Sequence, residues 1–395
     1  MDLSDEVLVA MAASVTAIAA AYHFLQQEQD LQEESSLTSS DNETSYVDEI
    51  LDGSRIQCRE HFRMDKTVFN KFCGVLQSRG LLHNTNRVRI EEQLAIFLLT
   101  IGRNERNRVL QDHFRYSGET ISRHFNNVLK ATAALAPHFL KPPTTQTPPE
   151  IINNSLFHPY FQDCIGVIGG THIPAMVNLE GQQSFHNHRG FTSQNVMAAC
   201  SFDMRFQYVL AGWQGSATDF SVLHSALSRE DRLHVHPGKY YLVSAGYGNL
   251  PGFMAPYTGV RYHLSGFPDD HPPENPQELF NYRHSLLHSA IDLTFSALKT
   301  PFPGLTRPPP YPFDKQVKLV VAACVIHNHV KEERKTDWIF QKLETEILSQ
   351  IEAQVPLQTE ESSPDFEPEQ QVTASLLRDS IAQAMWNDCL CNFHS

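Results

Sequence analysis

The 395-residue sequence predicts an α/β domain built around one mixed sheet, preceded by an all-α domain and flanked by acidic segments. Three observations carry this reading. Between residues 58 and 140, apolar residues recur at helical spacing. After a proline-rich run, short apolar runs with strand character alternate with helical stretches. Charge is partitioned along the chain in blocks that match those divisions. Residues 1–54 hold twelve acids and no Lys or Arg, and 55–141 hold fifteen bases against seven acids. Residues 142–331 are near neutral, 332–395 carry thirteen acids against four bases, and the whole stands at −14. An acidic whole argues against indiscriminate nucleic-acid binding, so only the second block is suited to face DNA.

The elements follow in order. Val7 to Leu25 is alanine-rich and apolar but interrupted by His23, after an acidic start where a signal peptide needs a basic one. It is barely long enough to span a membrane and is read as a short interfacial or partner-binding helix. Gln26 to Asp52 is too polar to bury a core and reads as a disordered acidic linker, so 1–54 forms the first segment. The helical domain occupies 55–141. Val68, Phe69, Phe72, Val75 and Leu76 mark one helix, Ile90–Ile101 a second with Glu91 and Glu92 in its first turn, and Arg106–Phe114 a third. Ser117 is placed to cap a fourth helix running through Ile121, Phe125, Val128 and Leu129. The last two have helix-turn-helix proportions, with Ser122, Arg123, His124, Asn126 and Asn127 as candidates to contact DNA. The alternative is a small bundle whose polar face is merely solvated.

The proline-rich linker spans 142–150 and leads into a core at 151–331. Strands are expected at 164–168, 194–201, 206–212 and 240–243, and closing helices at about 283–299 and 314–331. The acidic tail, 332–395, ends in an amphipathic helix with Leu376, Leu377, Ile381, Met385 and Trp386 as candidate partner contacts. Seven scattered cysteines without a CxxC pair fit free thiols and exclude a zinc ribbon.

Several segments resemble, in the same order, the PIF/Harbinger transposase superfamily of DDE-type endonucleases. They are Cys164–Pro174, Arg189–Cys200, Phe206–Asp219, Tyr240–Tyr247, Arg261–Leu264, Asn281–Ser285 and Ile326–His329. Leu377–Trp386 is similar to a stretch common in plant members. The resemblance implies an RNase H-like catalytic core behind a helical DNA-binding region. It also implies two aspartates and a glutamate that hold divalent ions, since phosphodiester cleavage in such sites uses a pair of metals held mainly by carboxylates. Those positions map here to Gly169, Ser244 and Asp292. Glycine offers no ligand, serine a weak neutral one, and aspartate a shorter arm than glutamate. Asp163, Asp203 and Asp219 do not replace them by sequence logic. Basic residues common in relatives are also thinned, as at His186–Gly190, Leu293, Thr300 and Pro301.

The expectation is therefore a domesticated pseudoenzyme that has lost its Mg or Mn site and has no other cofactor. Similar plant proteins are accessory subunits of chromatin complexes, which implies a Myb/SANT-like partner, chromatin-complex subunits and a nuclear location reached by partner-assisted import, with the cytoplasm as the alternative; no membrane role is expected. The alternatives are a nuclease or transposase with an altered site, and a non-cutting regulator that binds DNA through 55–141.

Overall fold

The computed structural model describes residues 45–262, 272–333 and 368–393. The apolar stretch Val7–Leu25 and most of the acidic linker and tail lie outside these residues. The chain divides into two compact units.

The first unit takes residues up to 136, Leu298–Tyr311 and Lys315–Lys335. It is helical: α1 (Tyr46–Asp52), α2 (Arg55–Phe62), α3 (Lys66–Ser78), α4 (Ile90–Arg103), α5 (Asn107–Phe114) and α6 (Gly118–Ala134). Helix α1 corrects the expectation of a disordered linker as far as Asp52. Val47, Ile50 and Leu51 share one helical face and are buried, so this acidic segment does have a core contribution. Helix α4 is buried almost all round, which its near-continuous apolar run dictates. Phe62 stacks on Phe69 at 4.7 Å and Phe97 meets Phe125 at 5.5 Å. Ser117 caps α6 as its sequence position implies, accepting from the Thr120 N–H at 3.3 Å. Most of α9 (Phe313–Glu333) groups with this unit, although its sequence reads as the closing helix of the core. The His329 ring lies 4.8 Å from Phe72, and its Nε2 is 3.0 Å from the Val68 carbonyl oxygen.

The second unit takes Pro137–Ala297, Pro312–Asp314 and the C-terminal residues. Its five-stranded sheet comprises β1 (Cys164–Pro174), β2 (Ser193–Cys200), β3 (Phe206–Gln214), β4 (Tyr240–Val243) and β5 (Phe253–Met254). The spatial order is β3-β2-β1-β4-β5. The first three strands pair antiparallel, and β4 and β5 run parallel to β1. This is the mixed RNase H-like sheet expected from the sequence. Strand β2 is buried throughout, as befits a strand covered on both faces. On one face Ile165, Ile168, Met197 and Tyr241 pack with Val222, Leu223 and Ala226 of α7 (Asp219–Ser228). On the other lies α8 (Pro276–Lys299), where Phe295 meets Phe206 at 5.9 Å and Thr294 donates to Cys200 Sγ at 3.3 Å.

The final helix, α10 (Pro368–Phe393), docks on this unit. Ala374, Ala382 and Met385 are buried, the last completely. Arg378 lies 4.0 Å above the Tyr257 ring and donates to the carbonyl oxygens of Ala255 and Pro256 at 3.2 and 3.0 Å. Tyr257 donates to Asp379 at 2.6 Å, and Tyr160 to Asp388 at 2.7 Å. The candidate partner contacts thus divide. Met385 faces inward and Ile381 and Trp386 are half-buried, while Leu376 and Leu377 are 65% and 47% exposed. No helix among the described residues is long and apolar enough to cross a membrane.

Candidate functional site

The three positions marked by the sequence resemblance, Gly169, Ser244 and Asp292, lie on β1, just past β4 and on the covering helix α8. Gly169 lies in β1 opposite Ala198 of β2. The parallel register Ile168↔Val243 sets Ser244 beside Gly169, one step beyond the end of β4. Ser244 is half-buried and opens a short turn without capping it through its side chain. Opposite them, α8 is anchored to β1 by His288, whose Nε2 is 3.0 Å from the Ile168 carbonyl oxygen. A side-chain carbon at position 169 would lie 2.8 Å from Ile291 Cγ2 and 3.1 Å from its Cγ1. Asp292 is the next residue on α8 and is exposed.

The donor set does not fit a two-metal site. One position has no side chain and its space is filled by Ile291, the second offers a neutral hydroxyl, and only the third is a carboxylate. Among the described residues no group of three or more His, Cys, Asp or Glu side chains is arranged to hold a metal ion. The nearby acids are spoken for. Asp163, at the start of β1, pairs with Lys239 at 2.8 Å, and Asp203 pairs with Arg205 at 2.6 Å in the β2–β3 turn.

Asp219 is engaged as well, and its sequence position gives little hint of where its carboxylate lies. It begins α7 behind the Thr218 cap, whose hydroxyl accepts from the Ser221 N–H. That places its carboxylate beside the middle of β1 and the turn after β4: Oδ1 is 3.3 Å from where a side-chain carbon on Gly170 would be, and Oδ2 is 3.1 Å from the corresponding point on Gly246. It lies on the α7 side, whereas Gly169 faces α8.

The α8 wall of the site is held by neutral imidazoles. Burial pushes His284 down to about 3, with His288 adding to the effect. Its Nε2 is 3.1 Å from the Met254 carbonyl oxygen and its Nδ1 is 3.1 Å from the Tyr262 hydroxyl. Burial also lowers His288, opposed by the charge of Asp292. An imidazole with a folded-state value below the ordinary 6.5 is protonated first in the unfolded chain. The stability linked to His284 is therefore fully present above pH 6.5 and is lost as pH falls from 6.5 towards 3. Urea midpoints at pH 7 and pH 4.5 check this: the difference between them should shrink in His284→Gln, and an unchanged difference refutes the assignment.

Of the candidate DNA contacts, His124 is 3% exposed, so it cannot reach a base edge. It falls on the same face of α6 as Ile121, Phe125 and Val128. Ser122, Arg123 and Asn127 are exposed and Asn126 is half-buried. The Asn107 amide donates to Ser122 Oγ at 3.1 Å.

A five-stranded mixed sheet covered by helices on both faces is the arrangement of a DDE nuclease-like domain. Accordingly, residues 168–328 match the family described as DDE superfamily endonuclease, and 38–134 match a family described as a domain of unknown function. The chain is homologous to Harbinger transposase-derived proteins. Over 233 residues it is 25% identical to the Homo sapiens protein named Putative nuclease HARBI1, covering 58% of this chain and 63% of that one. Over 320 residues it is 24% identical to Protein ALP1-like of Arabidopsis thaliana, covering 73% of each. The chain thus spans less than two thirds of the human relative's length. No solved structure matches it.

Proposed function

We propose that this chain is a domesticated, catalytically inactive Harbinger-type transposase acting as a nuclear protein-interaction or accessory subunit of a chromatin-regulating complex. The observation that carries the reading is the contact between Gly169 and Ile291, which leaves no room for the first metal ligand. A docked C-terminal helix with outward-facing Leu376 and Leu377 supports a role in protein contacts. The partners in this reading are a Myb/SANT-like protein and chromatin-complex subunits. The test has two arms. Affinity purification from nuclei with mass spectrometry should recover such a partner, and its absence counts against the reading. Purified protein should leave duplex DNA uncut in Mg²⁺ and Mn²⁺; cleavage that disappears in Asp292→Ala refutes inactivity.

A second reading, a non-cutting DNA-binding regulator, is favoured by one surface. Arg106, Arg108, Arg115, Arg123 and Lys130 are exposed on and between α5 and α6, and none is paired with an acid among the described residues. On this reading the full chain binds duplex DNA more weakly as salt rises, and Arg123→Ala lowers the slope of log K against log salt by about 1. Anisotropy titrations at several salt concentrations measure it, and an absence of binding at low salt eliminates the reading.

A further inference from the structure

The first unit carries a cleft that plays no part in the eroded site. It is about 420 Å³ in volume and is lined by the loop after α3, by α4 and by the C-terminal half of α6. Its floor is apolar, with Leu82 and Ala131 both 5% exposed. Gln93 of α4 forms one wall and is itself only 2% exposed. Its amide nitrogen donates to the carbonyl oxygens of His83 and Val88, at 2.9 and 3.3 Å. Those two acceptors fix the orientation of the amide, so its oxygen turns the other way, towards the cleft. That oxygen has no hydrogen-bond partner among the described residues and keeps contact with solvent. Polar groups on side chains this deep are seldom left unpaired. The rim is polar: Lys130 and Asn127 on α6, and His83 in the loop, are exposed, and no partner holds their side chains.

Each free group asks for its complement. The deep group is an acceptor, and the oxygens nearest its amide, the carbonyls of His83 and Val88, are acceptors too. The tip of a ligand there must donate and bring no lone pair of its own. An indole N–H does this, whereas a phenol or a nucleobase adds acceptors. The apolar floor suits the indole ring, which buries a large area and carries one polar handle. At the rim Lys130 and the Asn127 amide call for an anion. No acidic residue lines the cleft, and the surrounding segment 55–141 holds fifteen bases against seven acids. The geometry points to a receptor for an acidic peptide of a partner protein that inserts a tryptophan side chain, with its indole N–H on Gln93 Oε1 and a flanking carboxylate at Lys130. Duplex DNA would meet the lysine but leave the apolar floor and the deep oxygen unserved. The inference rests on the protein-interaction reading above and names the kind of segment the partner presents.

The test is a titration of the ¹⁵N-labelled full chain with the peptide acetyl-Glu-Trp-Glu-amide, followed through the Gln93 side-chain amide, whose resonances should shift saturably. Acetyl-Glu-Phe-Glu-amide keeps an apolar ring but lacks the donor, and acetyl-Lys-Trp-Lys-amide reverses the charge. Each should bind roughly tenfold more weakly. Lys130→Glu puts a repelling charge at the rim and Ala134→Phe a ring into the cleft, and both should weaken the response by a similar factor. Both positions are exposed, so the fold tolerates either change. No saturable shift, equal binding of the phenylalanine peptide, or an unaltered response in both variants overturns the inference. So does tighter binding of free indole-3-acetate than of the peptide, which marks a small-molecule site, or a shift of the Gln93 resonances by duplex DNA alone. Failure to recover a chromatin partner from nuclei counts against the earlier reading and leaves the titration to decide this one.

Discussion

Gly169→Ala lowers the melting temperature of this protein, and Gly169→Asp lowers it further without creating Mg²⁺-dependent cleavage. The reason is steric. A β-carbon at 169 would lie 2.8 Å from Ile291 Cγ2, and a β-branched side chain on a helix has little rotameric freedom to withdraw. Overpacking of this kind costs about 1–3 kcal/mol, or roughly 2–12 °C for a unit of this size. Aspartate adds the cost of pressing a carboxylate against aliphatic carbon. Calorimetry checks the prediction, and a double-mutant cycle isolates the contact: in an Ile291→Ala background the penalty of Gly169→Ala should largely vanish. A Gly169→Ala protein that melts with the wild type would show that α8 yields freely, and the steric case against a metal ligand would fall.

Met385→Ala should loosen α10 from its unit by about 2–5 kcal/mol, since the side chain is fully buried. Arg378→Ala acts in the same direction, because it strips the Ala255 and Pro256 carbonyls of their donor and uncovers the Tyr257 ring. Leu376→Ala, at a position 65% exposed, should change docking by less than about 0.5 kcal/mol. Amide exchange within α10 reports all three. Equal protection in Met385→Ala and wild type would mean that the helix is held by something other than its buried face.

The strands of the second unit were legible because each is a short apolar run bounded by turn residues. The run 240–243 matches β4 to the residue, and 206–212 lies within β3. Strand β1 continues to Pro174, six residues beyond its apolar run. Its pairing with β2 holds a polar end that hydropathy alone reads as a turn. Helix α1 was hidden for the opposite reason, since three apolar residues in an acidic stretch do not reveal that they find a core. At the site, sequence gave the identities at 169, 244 and 292, but not the approach of Ile291, which depends on how closely α8 packs. Asp219 is discounted in the sequence because it is not one of the three catalytic positions the resemblance implies, and nothing in its neighbourhood shows that α7 begins beside β1 and the turn after β4. On α10 an apolar count places Met385 with Leu376, whereas the docked face runs through buried Ala374, Ala382 and Met385 and half-buried Arg378. Small residues and an arginine stem carry no hydropathy signal strong enough to mark a docking face.

The threading of the first unit has a consequence for synthesis. Its helices up to residue 136 emerge from the ribosome about 200 residues ahead of the end of α9, which contributes His329 beside Phe72 and Val68. At ordinary elongation rates that interval is roughly 10–40 s. During it Phe72 lacks the His329 ring that it meets in the folded unit. The helical unit therefore completes its native packing only after α9 has been made.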